Sequence, residues 1–82
     1  MSEVHVIRQA FLEAIDVLGV GAARALIEDL QRYQVFLYDQ NLSLENLARG
    51  LNEMVGKETT QLLLERVYIK LDELHSSRMH NL

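Results

Sequence analysis

Two glycines divide this chain at corresponding points of two amphipathic runs. The first run ends in Val-Leu-Gly at 17–19, and the second ends in Met-Val-Gly at 54–56, 37 positions later. When the segment 47–67 is laid over the segment 10–30, glycine, apolar and acidic positions coincide. Because glycine readily adopts positive φ, it can close one helix and let the chain turn back into the next. The sequence therefore predicts two similar helical hairpins.

Helix is predicted along most of the chain, because proline is absent and apolar residues recur at spacings of three and four. We expect a first helix over about 3–18 and a second helix from Gly21 to Tyr33. The small side chains of Ala22 and Ala23 would allow the second helix to pack closely on the first. With two further helices, these elements predict an all-α, four-helix-bundle-like domain around one apolar core.

The third helix has the clearest start in the chain. Ser43 is a favourable N-cap, and Leu42 and Leu47 occupy the two positions of a hydrophobic staple. Gly50, further along the same helix, is either a mild weakness or a point of close approach to another element. We expect the helix to end at Gly56.

The linker that precedes this helix is less regular. Residues 33–39 combine aromatic and β-branched side chains without a clear helical period, and both a short extended piece and a continued helix are compatible with them. The sequence Asp-Gln-Asn at 39–41 predicts a turn. The path of the linker is therefore left open.

The fourth helix is predicted over about 57–74, with one apolar seam at spacings of four and three. Its two other large apolar residues, Leu62 and Ile69, lie seven positions apart and almost directly opposite that seam. An apolar pair on an outer face predicts a contact surface. The linker residues Val35 and Phe36 are candidates for the same surface. In the alternative, they fold over Leu62 and Ile69 and cover them.

The length of 82 residues predicts a single domain, which we place at 1–75, followed by a flexible C-terminal tail at 76–82. A domain of this size buries only about 60% of the surface that its unfolded chain exposes. Association between subunits would add stability to so small a core. We therefore expect one domain that forms a homodimer.

Composition excludes several classes of function. The chain has no cysteine, which rules out disulfides, thiolate metal sites and cysteine nucleophiles. Its longest apolar run is far shorter than the ~20 residues of a membrane span, and no signal peptide is recognisable, so we expect a cytoplasmic protein without membrane insertion. A formal net charge of −4 with scattered basic residues disfavours binding to nucleic acid.

Few residues form a pattern that indicates chemistry. His75 and His80 are five positions apart in the tail, whereas metal ligands on one helix face lie three or four apart. The sequence Gly-Val-Gly at 19–21 follows a predicted helix rather than a strand, and helix capping explains it better than phosphate binding. Acid–base catalysis needs desolvated carboxylates, and the neighbouring acidic residues lie on predicted polar faces. We therefore predict no enzymatic activity and no metal or cofactor. The acidic pairs considered are Glu13 with Asp16, and Glu28 with Asp29.

The order of these motifs resembles that of a known family. Ala-Ile-Asp-Val-Leu-Gly at 14–19, the amphipathic segments 22–30 and 44–56, and Leu-Leu-Leu-Glu-Arg-Val-Tyr-Ile-Lys-Leu at 62–71 are similar to the archaeal family called Nitrosopumilus output domain five. The resemblance covers about residues 10–74. The linker departs from the family pattern, because it has neither the proline nor the further glycine expected there. The resemblance implies a small helical output module attached to signalling receivers, with no catalytic residues.

These observations together predict a non-enzymatic helical module that acts by protein contact, as a homodimer and in contact with a signalling protein. The alternative is a DNA-binding transcriptional regulator with a helix-turn-helix inside one hairpin. That alternative would require an exposed helix with clustered Lys or Arg, and no such cluster is evident in the sequence.

Overall fold

The computed structural model describes the backbone of residues 3–80 and the side chains of residues 3–76. Within that part of the chain the protein consists of helices and connecting turns, with no β-strand, which confirms the predicted all-α class. A short 3₁₀ turn, Asp16–Leu18, directly follows the first helix. The four α-helices are α1 (Glu3–Ile15), α2 (Val20–Arg32), α3 (Leu44–Val55) and α4 (Lys57–His80).

The apolar core lies mainly between α1, α3 and α4. The most extensive packing joins α1 to α4, and α3 also packs on α4. Only one residue of α2, Leu30, is fully buried in this core, whereas α1 contributes six buried residues. The core is therefore built around α1 and α4, with α2 at its edge. The side chains that are almost completely buried are Phe11, Ile15, Leu30, Val35, Leu47, Leu51 and Val67.

The two helix breaks have nearly the same backbone conformation. Gly19 has φ 93° and ψ 157°, and Gly56 has φ 86° and ψ 168°. Only glycine adopts this region of φ and ψ without strain, so both breaks occur where the sequence predicts them. The first break differs in one respect: α1 ends at Ile15 rather than near 18, and the 3₁₀ turn that follows leaves Leu18 exposed.

The end of α2 is a Schellman motif whose left-handed residue is not glycine. Gln34 has φ 65°, its N–H donates to the Gln31 carbonyl (3.1 Å), and the Val35 N–H donates to the Leu30 carbonyl (3.0 Å). Val35 and Leu30 are both buried, as expected for the apolar contact that accompanies this motif. The helix therefore ends at residues 33–34, and the linker begins by returning Val35 to the core.

Two arginines, one on α1 and one on α3, hold the linker and the end of α2 in place. Arg8 of α1 donates through Nε to the Leu37 carbonyl, and its guanidinium lies 5.0 Å from the centroid of the Tyr38 ring. Arg49 of α3 donates to the Tyr33 carbonyl (3.3 Å), which belongs to the end of α2. These contacts hold the segment between α2 and α3 against the core.

The turn and the start of α3 follow the prediction. The Asn41 N–H donates to Asp39 Oδ1 (2.8 Å), which forms the turn expected at 39–41. Ser43 is extended (φ −139°, ψ 161°), and its hydroxyl accepts from the Asn46 N–H at 3.1 Å. That is the N-cap geometry the sequence indicates.

Close approach, rather than weakness, explains Gly50. A methyl group placed on its Cα would lie 2.7 Å from Val35 Cγ2 and 3.1 Å from Leu30 Cδ2. Leu42 and Leu47, at the staple positions of α3, are buried in the same core. The absence of a side chain at Gly50 therefore lets the end of α2 and the linker contact α3.

The final helix is longer than predicted. The sequence predicts its end near Leu74 and a flexible tail at 76–82, whereas the structure continues α4 to His80. Asn81 and Leu82 lie outside the described residues. On the inner face of α4, Thr60, Leu63 and Val67 are buried and Leu64 is half-buried, whereas Tyr68 is 52% exposed.

The arrangement of α1 and α2 as a tightly packed hairpin is not confirmed. An open groove lies between these two helices, and Ala23 is one of its lining residues. Ala22 faces the opposite side, toward α3. Among the described residues, no helix combines the length and apolar character of a membrane span.

Candidate interaction surface

The residues considered for chemistry are not assembled into a reactive or metal-binding site. No cluster of three or more histidine, aspartate or glutamate side chains suited to a metal occurs within residues 3–76. His75 is exposed, and the side chain of His80 lies outside the described residues. Glu13, Asp16 and Glu28 are exposed as well. What the described surface does contain is exposed apolar side chains.

One such surface is the outer face of α4, which we call the α4 outer patch and define as Leu62, Glu65, Arg66 and Ile69. Leu62 is 62% exposed and Ile69 is 58% exposed. Both lie on the side of α4 opposite Val67, which is completely buried. The structure therefore places this pair where the sequence analysis does, on the solvent side of the helix.

The charged residues of the patch have no partner on their own helix. Within the described residues, the one ion pair on α4 joins Lys70 to Glu73, with Nζ 3.4 Å from Oε2. Glu65 and Arg66 lie between the two apolar side chains and belong to no ion pair of the described part of the chain. The centre of the patch thus carries one free charge of each sign.

Of the two linker residues, the structure removes Val35 from this surface. Val35, a candidate for the interface, is 2% exposed and packs near Leu30 and Gly50, so it belongs to the core. Phe36 is exposed on the linker. The alternative in which both residues cover Leu62 and Ile69 is wrong, because those two side chains remain open to solvent.

A second apolar region, around α2, is missed by the sequence analysis. We define the α1–α2 groove by its lining residues from both helices and the turn, and it has a volume of about 550 Å³. The α2–α3 groove, on the other side of α2, has a volume of about 430 Å³. The α1–α2 groove is lined by Leu12, Ile15, Asp16, Val20, Ala23, Arg24, Ile27 and Glu28. The α2–α3 groove is lined by Leu18, Ala22, Ala25, Leu26, Asp29, Arg32, Tyr33, Met54 and Val55.

One feature of the sequence could have indicated these grooves. The apolar side chains of α2 extend around the helix from Ala25 through Leu26 and Leu30 to Ile27 and Val20, which covers more than half of its circumference. A single line of contact with a small core cannot cover so wide an arc. The apolar residues on both flanks of α2 consequently line open grooves.

Comparison of the chain with known protein families, with curated proteins and with solved structures found no match in any of the three.

Proposed function

We propose that this chain is a small, non-enzymatic helical interaction module that associates with a second copy of itself through the α4 outer patch. The observation that carries the proposal is the exposure of Leu62 and Ile69 on one line of a helix whose other side packs on the core. Burying a large aliphatic side chain contributes about 1.5–3 kcal/mol. A symmetric dimer would bury four such side chains, two from each copy.

The order of residues in the patch suits an antiparallel pair. A two-fold axis between Glu65 and Arg66 would bring Leu62 of one copy against Ile69 of the other, twice. The same axis would place Glu65 of each copy beside Arg66 of the other. Because a two-fold interface joins the same surface of both subunits, this self-complementary order is what such a dimer requires. The free charges of the monomer would then pair across the interface.

The size of the patch sets the expected affinity. Stable interfaces bury about 1,200–2,000 Å² in total, and an interface around two apolar residues per copy is at or below the lower end of that range. We therefore expect reversible dimerisation with a dissociation constant on the order of 1–100 µM.

Sedimentation velocity over a concentration series tests the dimer. The wild type is expected to shift from monomer to dimer, and the double variant Leu62→Glu, Ile69→Glu is expected to stay monomeric. A matched control, Ala25→Glu with Gln31→Glu, adds the same negative charge at exposed positions of α2 and should behave as the wild type. The proposal is refuted if the wild type and the α4 variant are both monomeric, or if both dimerise equally well.

Charge exchange tests the antiparallel register. Glu65→Arg alone would place two positive charges together at each of the two symmetric positions and should weaken association. Adding Arg66→Glu exchanges the signs and should restore it, because positions 65 and 66 would again carry opposite charges where they meet across the axis. In a parallel dimer each residue would face its own copy, so Glu65→Arg would replace one like-charged pair by another and would not weaken association.

The basic residues favour protein contact over DNA binding. Of the eight Lys and Arg residues in the chain, several are already engaged with groups of the protein itself. Contacts to phosphate need basic side chains that are free and clustered. The engaged residues are Arg8 with linker carbonyls, Arg32 with Asp29, Arg49 with the Tyr33 carbonyl and Glu53, and Lys70 with Glu73.

The proposal includes a role as a cytoplasmic signalling output module built from two similar helix–glycine–helix units, as the family resemblance implies. Two features support it. The two glycine breaks, Gly19 and Gly56, share one backbone conformation. The linker also contains a left-handed residue, Gln34, where a glycine would be favoured. Affinity purification from the native cell, with the Leu62→Glu, Ile69→Glu variant in parallel, should recover a receiver-containing protein. Recovery of no signalling protein by either form would count against this role.

A further inference from the structure

We infer that the α1–α2 groove is a docking site for an amphipathic helix of a partner protein that carries basic residues along its flanks. This inference goes beyond the proposed self-association, because the groove and the α4 outer patch involve different helices. It depends on three properties of the groove: its apolar floor, its helical walls and the charges at its rim.

The floor of the groove is apolar. Ile15 forms its buried base, and Leu12, Ala23 and Ile27 are half-buried along its sides. At one end Val20 is 74% exposed, more than either large apolar residue of the α4 outer patch. A polar ligand would gain little from this floor, whereas an apolar helix face would cover it.

The walls determine the shape of the occupant. Both are helices, and α2, with 13 residues, is about 20 Å long. A groove between two helices accepts a third helix that inserts apolar residues at spacings of three and four. An extended strand has no sheet edge to pair with in the described part of the chain.

The rim determines the charge of the occupant. Asp16 stands at the α1 side and Glu28 on α2, and neither belongs to an ion pair of the described residues. Arg24 is the single basic residue of the lining. In the α2–α3 groove, by contrast, Asp29 already pairs with Arg32 at 3.8 Å. Two unpaired carboxylates against one guanidinium favour a basic partner at the α1–α2 groove.

The same charges argue against a second copy as the occupant. The exposed helix face that this chain could offer is that of α4, where the acidic residues still outnumber the basic ones: Glu65, Asp72 and Glu73 against Arg66 and Lys70. An acidic face against Asp16 and Glu28 would be repelled. The occupant is therefore a helix from a different protein.

Nuclear magnetic resonance with designed peptides tests the site. The first probe is a helix-forming peptide of about 15 residues, with leucine on one face and lysine on both flanks. The second probe is identical except that glutamate replaces each lysine. We expect the lysine probe to shift the methyl signals of Leu12, Val20 and Ile27, and the glutamate probe to bind at least about threefold more weakly. Shifts confined to α4, or equal binding of both probes, would overturn the inference.

Matched charge variants separate a specific site from general attraction to an acidic protein. Asp16→Lys and Glu28→Lys should each weaken the lysine probe by about threefold to tenfold, and together they should reverse the preference toward the glutamate probe. The control Asp72→Lys makes the same change of charge on exposed α4 and should leave binding unchanged. An equal loss in the control would overturn the site.

The two tests report different surfaces. Sedimentation of the Leu62→Glu, Ile69→Glu variant addresses only self-association, and that variant should still bind the lysine probe in the groove. If the wild type stays monomeric over the whole concentration series but binds the lysine probe in the groove, the inference stands and the proposed dimer is refuted. A dimer without probe binding would do the reverse.

Discussion

The two halves of this chain share the order helix, glycine break, helix, but their second helices pack differently. In the first half α1 and α2 meet at Gly19, and in the second half α3 and α4 meet at Gly56, with φ and ψ at the two glycines agreeing within about 11°. Yet α4 packs against both α1 and α3, while α2 leaves a groove on each side. A glycine break determines where a helix ends, but not how well the following helix is buried.

Side-chain size explains the difference. With the two halves aligned at their glycines, Ala23 of α2 corresponds to Thr60 of α4, and Ala25 corresponds to Leu62. The first six residues of α2 include one glycine and three alanines. Small side chains remove little apolar area from water, so the start of α2 gains little from packing. The second helix of the second half, α4, has larger side chains and packs into the core, whereas its counterpart α2 has smaller ones and lines the grooves.

The largest expected change in the free energy of unfolding comes from truncating the two leucines that correspond when the halves are aligned, Leu26 and Leu63. Leu63→Ala empties a buried position on α4 and should lower the free energy of unfolding by about 2–4 kcal/mol. Leu26→Ala, the corresponding change on α2, removes a half-buried side chain beside an open groove and should cost about 1 kcal/mol. Urea denaturation of both variants measures the difference.

Equal losses for Leu63→Ala and Leu26→Ala would contradict this comparison of the halves. They would mean that α2 is held as firmly as α4 in solution. Amide hydrogen exchange provides a second reading, because a weakly held α2 should exchange by local opening, well before global unfolding.

The two glycine breaks are expected to respond unequally to the same substitution. Gly56→Ala places a side chain in a region of φ and ψ that costs about 1–3 kcal/mol. Because α3 and α4 are both packed on the core, the backbone at this position cannot relax to relieve that strain. Gly19→Ala introduces the same strain, but α2 can shift into the open grooves and relieve part of it. Thermal unfolding should therefore show the larger loss for Gly56→Ala. A larger loss for Gly19→Ala would indicate that the position of α2 is the more tightly fixed.

The sequence predicts the helices of this fold better than their packing. Local signals succeed where one residue determines the outcome, as at the Ser43 N-cap and the two glycine breaks. They predict the end of α2 near Tyr33 but do not exclude a helix that continues into the linker, because the left-handed position is occupied by Gln34 rather than glycine. No local rule indicates that Val35 returns to the core at that point, since its burial depends on Gly50, fifteen residues away.

The candidate surfaces show the same limit. Helical periodicity identifies Leu62 and Ile69, because being opposite a packed seam is a property of one helix. The α1–α2 groove depends on the distance between two helices, which periodicity does not contain. The small size of Ala23 allows the close packing on α1 that the sequence predicts, but small size does not enforce that contact.

Two glycines inside helices should respond with opposite signs. Gly50→Ala improves helix propensity by about 1 kcal/mol, but its Cβ would lie 2.7 Å from the short, branched side chain of Val35. We expect a net loss of about 1–2 kcal/mol in chemical denaturation. Gly21→Ala, at an exposed position of α2 with open space around it, should add about 0.5–1 kcal/mol. Stabilisation by both substitutions would mean that the linker does not pack tightly on α3.

The smallest effect concerns the aligned pair Thr60 and Ala23. The Thr60 hydroxyl is buried and has no hydrogen-bond partner among the residues that the structure describes, whereas the corresponding alanine carries no polar group. Thr60→Val keeps the shape of the side chain and removes the unsatisfied hydroxyl, so it should raise the free energy of unfolding by about 1 kcal/mol. The neighbouring exposed Thr59→Val should change it by less than about 0.5 kcal/mol.

A loss of stability in Thr60→Val would mean that the hydroxyl makes a hydrogen bond in solution that outweighs its burial. The comparison with Thr59→Val removes the general effect of exchanging threonine for valine in a helix, since both residues lie in the first turns of α4. The difference between the two variants therefore isolates burial. If that difference is close to zero, α4 opens at its start as readily as α2 does, and the contrast between the two halves is confined to their later turns.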